Sequence, residues 1–258
     1  MRFASIGSGS SGNALVVECE RTRVLLDCGF SVRETEARLS RLGVEAATLS
    51  ALVVTHEHED HACGVFALAR RHAIPVCLTA GTLAALRESD PEVASGVPLR
   101  LIGAGEPLAL EALRVLPFTV PHDAREPVQF VFSDGARRLA VLTDAGCSTP
   151  HIESVLSGCD ALVLEANHDL GLLMKGDYPY ALKSRIAGRF GHLHNGASAE
   201  ILAAIDASRL QHLVAAHLSQ KNNAPELARN ALAGALGCAP DWIEVASQAK
   251  GFAWRDLR

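Results

Sequence analysis

Residues 55 to 61 read Thr-His-Glu-His-Glu-Asp-His, between an apolar run, ALVVT at 51 to 55, and a pattern that predicts a helix from Ala62 to Arg71. His56 and His58 are two residues apart, so an extended or turning backbone points both rings to one side. Asp60 and His61 follow where the helix should begin. One loop can therefore feed two neighbouring metal ions, with His56 and His58 on the first and Asp60 and His61 on the second. These nitrogen and oxygen donors, without thiolate, suit zinc, manganese or iron more than a structural zinc site. Glu57 and Glu59 are expected to face elsewhere. Three histidines and an aspartate within six residues are hard to obtain in an ordinary solvated turn.

Working outward, other apolar runs also end in a residue able to bind metal. VLPFTVP runs into His122, LAVLT into Asp144 and LVAA into His217. Side chains collected at strand ends can converge on one edge of a sheet, where a rigid scaffold fixes the geometry a metal requires. The wider pattern alternates short β-rich runs, among them Arg2 to Ile6, Ala14 to Glu18, Arg23 to Asp27, Leu113 to Val120, Arg138 to Thr143 and Ala161 to Ala166, with helical ones. Helices are expected at Val32 to Leu42, Ala62 to Arg71, Gly81 to Glu88, Pro150 to Ser157, Tyr180 to Phe190, Ala197 to Ile205 and Pro225 to Leu236. Such a mixture predicts an α+β arrangement of sheets covered by helices.

With 258 residues, 48% of them hydrophobic, the chain has material for a substantial core. No repeat or linker divides it, so residues 1 to 258 are read as a single domain. Seven scattered cysteines without a C-x-x-C pair argue against a disulfide framework or zinc knuckle. No apolar run approaches the roughly 18 residues of a membrane helix, and no export signal is evident, so the cytoplasm is the expected location and no membrane is expected as partner. A net charge of −5 gives no general sign of a nucleic-acid binder, although it leaves room for a local basic patch.

THEHEDH, followed in order by His122, Asp144 and His217, resembles the H-x-H-x-D-H signature of the metallo-β-lactamase superfamily over nearly the whole chain. The resemblance implies a four-layer αβ/βα sandwich, with two mixed β-sheets facing each other and helices outside. It implies two divalent metal ions: His56, His58 and His122 on one, Asp60, His61 and His217 on the other, and Asp144 between them. Asp27, in VLLDCG, looks like an early aspartate that supports the metal loop without binding metal.

GSGSSGN at 7 to 13, EANHD at 165 to 169, GDYPYALKSRI at 176 to 186, GHLHN at 191 to 195 and AHLSQKNN at 216 to 223 together resemble the YycJ/WalJ family of metal-dependent exonucleases. DNA would then be the substrate. His194 stands where that family's GHLSN pattern has serine. EANHD and GHLHN also resemble segments of transfer-RNA 3′-processing nucleases, in which an acidic residue and histidines serve phosphodiester cleavage. On that basis Asp60, Glu165, His168 and His192 are the expected catalytic residues, His168 and His192 as general acids or as holders of a phosphate oxygen. Lys175, Lys183, Arg185 and Arg189 form a basic stretch beside EANHD. GSGSSGN could present amides and hydroxyls to a phosphate, or form a tight turn.

Alternatives within the same chemistry are a small cyclic phosphodiester as substrate and a thioester of the glyoxalase II type. β-Lactam hydrolysis is disfavoured by the lack of a second-site cysteine. A non-enzymatic metal-binding accessory factor of a signalling system is the contrasting reading.

Overall fold

Runs such as ALVV at 51 to 54 and ALVL at 161 to 164 show no polar alternation because both faces of their strands are buried. The computed structural model describes residues 1 to 258. Its strands are β1 (Arg2–Gly7), β2 (Ala14–Cys19), β3 (Thr22–Leu26), β4 (Ala51–Val53), β5 (Val76–Leu78), β6 (Leu99–Leu101), β7 (Leu108–Leu110), β8 (Leu113–Thr119), β9 (Val128–Ser133), β10 (Arg138–Leu142), β11 (Ala161–Glu165), β12 (His212–Ala216), β13 (Glu244–Val245) and β14 (Phe252–Asp256). Two seven-stranded sheets result, ordered β14-β1-β2-β3-β4-β5-β6 and β13-β12-β11-β10-β9-β8-β7.

Both sheets are mixed. Strands β14 to β3 pair antiparallel and β3 to β6 parallel. In the second sheet β7 to β10 pair antiparallel and β10 to β13 parallel. Parallel strands end at the same edge, so the residues that follow β3 and β4 in one sheet, and β10, β11 and β12 in the other, collect there. Strand β8 runs two antiparallel steps from β10 and delivers its carboxyl end to the same edge.

The helices are α1 (Val32–Arg41), α2 (Glu59–Ala62), α3 (Val65–His72), α4 (Ala80–Ser89), α5 (Pro150–Leu156), α6 (Leu170–Lys175), α7 (Tyr180–Ile186), α8 (Asn195–Ala204) and α9 (Pro225–Leu236). The apolar residues sort into three layers. Val24, Leu26, Val53, Val141 and Val163 join Phe130 and Phe132 between the sheets. Leu25 and Leu52 pack on Leu39 of α1 and Phe66 and Leu68 of α3. Leu162 and Leu164 pack on α5, α8 and α9 through Ile152, Ile201 and Leu232. Three apolar layers between four structural ones make the expected αβ/βα sandwich.

The helix expected from Ala62 to Arg71 is instead two, α2 and α3, and the motif's Asp60 and His61 lie inside the first. Competing hydrogen bonds explain the break. The Gly64 amide, which would continue the helix by donating to Asp60 O, donates to Cys28 O at 2.8 Å, while Asp60 O accepts from Asn13 N at 2.8 Å and His61 O from Cys28 N at 2.8 Å. The loops after β1 and β3 thus clamp the motif by its backbone. The helix expected to reach Phe190 stops at Ile186, and strands β6, β7 and β14 and helix α6 were not expected from the pattern.

This clamp requires glycine at position 29, where a Cβ would lie 1.8 Å from Asp60 O. The backbone on either side is fixed by the bonds just described, so it cannot yield cheaply. Gly29→Ala is expected to destabilise the protein by about 3 kcal/mol, on the order of 6–12 °C in melting temperature. Differential scanning calorimetry checks this, and a shift under 2 °C would show that the loop gives way freely.

Candidate metal centre

His56 in the motif loop, His61 in α2, His122 after β8, Asp144 after β10 and His217 after β12 are all buried, with His58 half-buried and Asp60 at the cavity. Four groups of donors share one edge, one of them made of Asp144, Glu165, His192 and His217. His56, His58 and His122 offer ligand atoms that all lie within 4.8 Å of one another, and so do Asp60, His61 and His217. Asp144 belongs to a further group with His56 and His61, and so reaches toward both sets. The seven residues expected from the sequence are brought together.

Sharp turns after the strands aim these side chains. Asp27, Asp144 and His217 have φ of 60°, 54° and 55°, half of the six non-glycine residues with left-handed backbone. Such conformations are costly outside glycine, and their concentration here marks strain held at a functional site. Asp27 accepts from Thr55 N at 2.8 Å and Thr55 Oγ1 at 2.9 Å and lies 2.8 Å from His61 Nδ1, so it supports the motif without entering the metal-like groups.

The donor set has room for cations. His56 Nε2 is buried without a hydrogen-bond partner, at a cost of about 1–3 kcal/mol, and Asp144 Oδ2 makes no hydrogen bond and has only the charge of His61 Nε2, 3.2 Å away, to offset its burial. Burial, followed by the charge of His61, holds the His56 pKa well below its ordinary value and leaves a neutral ring. Burial opposes the ionisation of Asp144, but His217 and His61 outweigh it and keep the carboxyl well below the usual range. Burial opposes a charge on His61 and His217 as well, but Asp144 and the neighbouring carboxylates raise both above the ordinary imidazole value. A divalent cation taking these two rings therefore displaces their protons, whereas His56 is already neutral beside the ionised Asp144.

Behind these residues lies Glu165, fully buried at the end of β11. Its Oε1 lies 2.9 Å from His192 Nδ1 and 3.0 Å from His217 Nδ1, and its Oε2 accepts from Ala145 N at 3.0 Å and Leu193 N at 3.1 Å. Burial works against a charge on His192, but the Glu165 carboxylate raises its pKa above the ordinary value. His192, with Asp60, lines a cavity of about 210 Å³ at this edge, whereas Glu165 and His168 do not line it. The expected catalytic set therefore separates: Asp60 and His192 reach the cavity, and Glu165 orients two of its histidines.

His168 is fully buried, with Nδ1 3.2 Å from Asn167 Oδ1 and Nε2 unpartnered. His194 caps α8, its Nδ1 accepting from Ala197 N at 3.1 Å. A serine hydroxyl, as in the GHLSN pattern, performs the same task, so the departure at 194 preserves a helix cap. GSGSSGN forms a turn, with Gly9 N donating to Asn13 Oδ1 and Gly12 N to Gly9 O. Asn13 Nδ2 donates to Asp60 Oδ2 at 3.2 Å. Asn13 and Asp123 were not foreseen at the site, although Asp123 follows His122 directly. The seven cysteines are free and none enters the metal-like groups. No helix is long and apolar enough to cross a membrane.

A family model described as the β-lactamase superfamily domain matches residues 22–217. The metallo-β-lactamase fold protein YhfI from Bacillus subtilis superposes with a TM-score of 0.74, covering 99% of each chain at 16% identity. The chain belongs to the metallo-β-lactamase superfamily. Within that superfamily it is 34% identical over 236 residues to exodeoxyribonuclease YycJ of Bacillus anthracis, covering 92% of this chain and 89% of that protein. Exodeoxyribonuclease WalJ of Streptococcus pneumoniae is 30% identical over 237 residues, covering 91% and 88%. Membership and these relatives make the chain a metal-dependent hydrolase.

Proposed function

We propose that the chain is a DNA exonuclease that uses two divalent metal ions, with residues 1 to 258 acting as one catalytic domain. His56, His58 and His122 would hold one ion, Asp60, His61 and His217 the other, and Asp144 both. The observation that carries the reading is the meeting of two such donor groups at Asp144, beside a cavity lined by His192. The names of the two relatives that span nine-tenths of the chain support DNA as substrate. The nitrogen and oxygen donors suit zinc, manganese or iron.

Such ions, when bound, supply Lewis acidity that makes water a better nucleophile and stabilises charge on a phosphate oxygen. The chain's own residues do the rest. Glu165 fixes Nδ1 of His192, leaving Nε2 for the cavity. As an imidazolium His192 can give a proton from Nε2 to the departing alkoxide, and Glu165 holds the ring in place while it does so. Glu165 also fixes Nδ1 of His217, so one carboxylate ties the proton donor to a ligand of the proposed centre. Leu182 and Ile186 of α7 present an apolar wall to the same cavity, which limits bulk water.

The purified protein, loaded with manganese or zinc, should degrade end-labelled single- or double-stranded DNA from an end and contain about two metal ions per chain. Bis(p-nitrophenyl) phosphate, cyclic nucleotides, RNA and S-lactoylglutathione complete the panel. Preference for a cyclic nucleotide over DNA would move the substrate to small phosphodiesters. Turnover of the thioester alone would overturn phosphodiester hydrolysis altogether.

A further inference from the structure

Five of the residues that line the cavity, His58, Asp60, Asp144, His192 and His217, already have work in the reaction proposed above. Of the others, Ser10 and Arg185 alone have side chains able to donate a hydrogen bond. They come from distant parts of the chain, the turn after β1 and helix α7. Arg185 Nε donates to Asp123 Oδ2 at 2.6 Å, and its two terminal nitrogens have no partner in the protein. An ion pair this exposed adds little to stability. It does hold the guanidinium in place at the cavity, with the paired donors that suit phosphate still free.

Ser10 shows the same availability. In its turn the amides of Gly9, Ser11 and Gly12 are all spent, on Asn13 Oδ1, Gln248 Oε1 and Gly9 O. The Ser10 amide and hydroxyl have no partner, and the residue is exposed where it lines the cavity. A Cβ at Gly9 would lie 2.6 Å from Gln248 Oε1, so glycine there is what lets Gln248 pin the turn.

We propose that Arg185 and Ser10 form a phosphate-binding subsite that grips a backbone phosphate of the substrate beside the bond being cleaved. The proposal rests on the phosphodiesterase reading and adds to it the residues that hold the strand. Asp123 is the positioning residue of the subsite, because it acts only through Arg185. The other basic residues of the stretch are placed differently: Lys183 Nζ donates to Met174 O at 2.7 Å, and Lys175 and Arg189 are exposed away from the cavity lining.

The test compares wild type, Arg185→Gln and Ser10→Ala, each metal-loaded, with an end-labelled oligodeoxynucleotide as substrate and inorganic phosphate as competitor and as titrant in calorimetry. Arg185→Gln should raise KM about 10-fold and weaken phosphate binding by a similar factor, with kcat within about 3-fold of wild type and bound metal unchanged. The dependence of log KM on log salt should become shallower by about one ion. Ser10→Ala, which removes only the hydroxyl, should raise KM about 3-fold. Unchanged KM, salt slope and phosphate affinity in Arg185→Gln overturn the subsite, as does a loss of kcat or metal at constant KM. If the oligonucleotide is not cleaved but Arg185→Gln still weakens phosphate binding, the subsite stands and the nuclease reading falls. Wild-type cleavage retained by Arg185→Gln at the same KM has the opposite meaning, and a wild type that binds neither probe ends both.

Discussion

Asp144→Asn is expected to reduce kcat/KM by at least about 10³-fold, equivalent to roughly 4 kcal/mol of barrier, while leaving a folded protein. The side chain is 3% exposed and stands among histidines from three parts of the chain. Its Oδ2 lies 3.2 Å from His61 Nε2, and its Oδ1 lies 3.3 Å from His217 Nδ1. Asparagine keeps the volume and tolerates the left-handed backbone at φ 54°, which alanine would not do as well. What it removes is the one full negative charge reached by both donor groups. Bound metal should therefore fall from about two ions per chain to one or none, measured by plasma mass spectrometry on the dialysed protein. Chelation of the wild type should reproduce the loss, and added manganese or zinc should reverse it there but not in the variant. A variant that keeps both ions and more than a tenth of the activity would remove Asp144 from the proposed centre.

The site could be read from sequence to the extent that its residues follow strands buried on both faces. Strands β4, β10 and β12 appear as apolar runs, so His56, Asp144 and His217 stand out beyond their ends, whereas β8 has exposed positions and His122 is marked by the apolar VLPF stretch alone. Strands β6 and β7 escaped the same reading because they are three-residue edge strands with exposed positions, among them Leu101 at 57%. The break between α2 and α3 could not be seen because its cause is non-local. The bonds that interrupt it come from Asn13 and Cys28, about 35 to 50 residues earlier.

Roles were harder to read than membership. EANHD offers a glutamate and a histidine three residues apart, and nothing local says which faces the cavity. The fold decides through the loop that follows β11, where the Asn167 amide donates to Leu193 O and Asn167 Nδ2 to His217 O. These bonds hold the segment against its neighbours and leave His168 buried outside the cavity lining, beside a cap made by His194. Likewise the serine-to-histidine departure at 194 looks chemical in the sequence and is structural in the fold.

Glu165→Gln is the second large effect expected, a fall in kcat of about 10²–10³-fold with KM nearly unchanged. The Glu165 carboxylate has four donors around it: two imidazole Nδ1 groups on Oε1 and two backbone amides on Oε2. Burial alone would push its pKa up, but the charge and hydrogen bonds of His192, joined by His217, hold it below the ordinary carboxylate value. A primary amide has only one oxygen to accept with. If that oxygen faces the backbone, its NH₂ meets His192 and His217; if it faces the imidazoles, its NH₂ meets the amides of Ala145 and Leu193. The second orientation leaves two buried amides unsatisfied, at about 1–3 kcal/mol each, and the first forces the rings to give up their Nδ1 protons. Stability should therefore drop as well, and a merely structural role would stop there. The positioning role predicts more: with His192 no longer fixed or held protonated, the alkaline limb of the pH profile of kcat should move to lower pH. It should do so even where the variant is fully folded, because a neutral His192, whichever ring nitrogen keeps its proton, is a far weaker acid than the imidazolium. An unshifted limb, with activity lost only in proportion to unfolded protein, would reduce Glu165 to a packing residue.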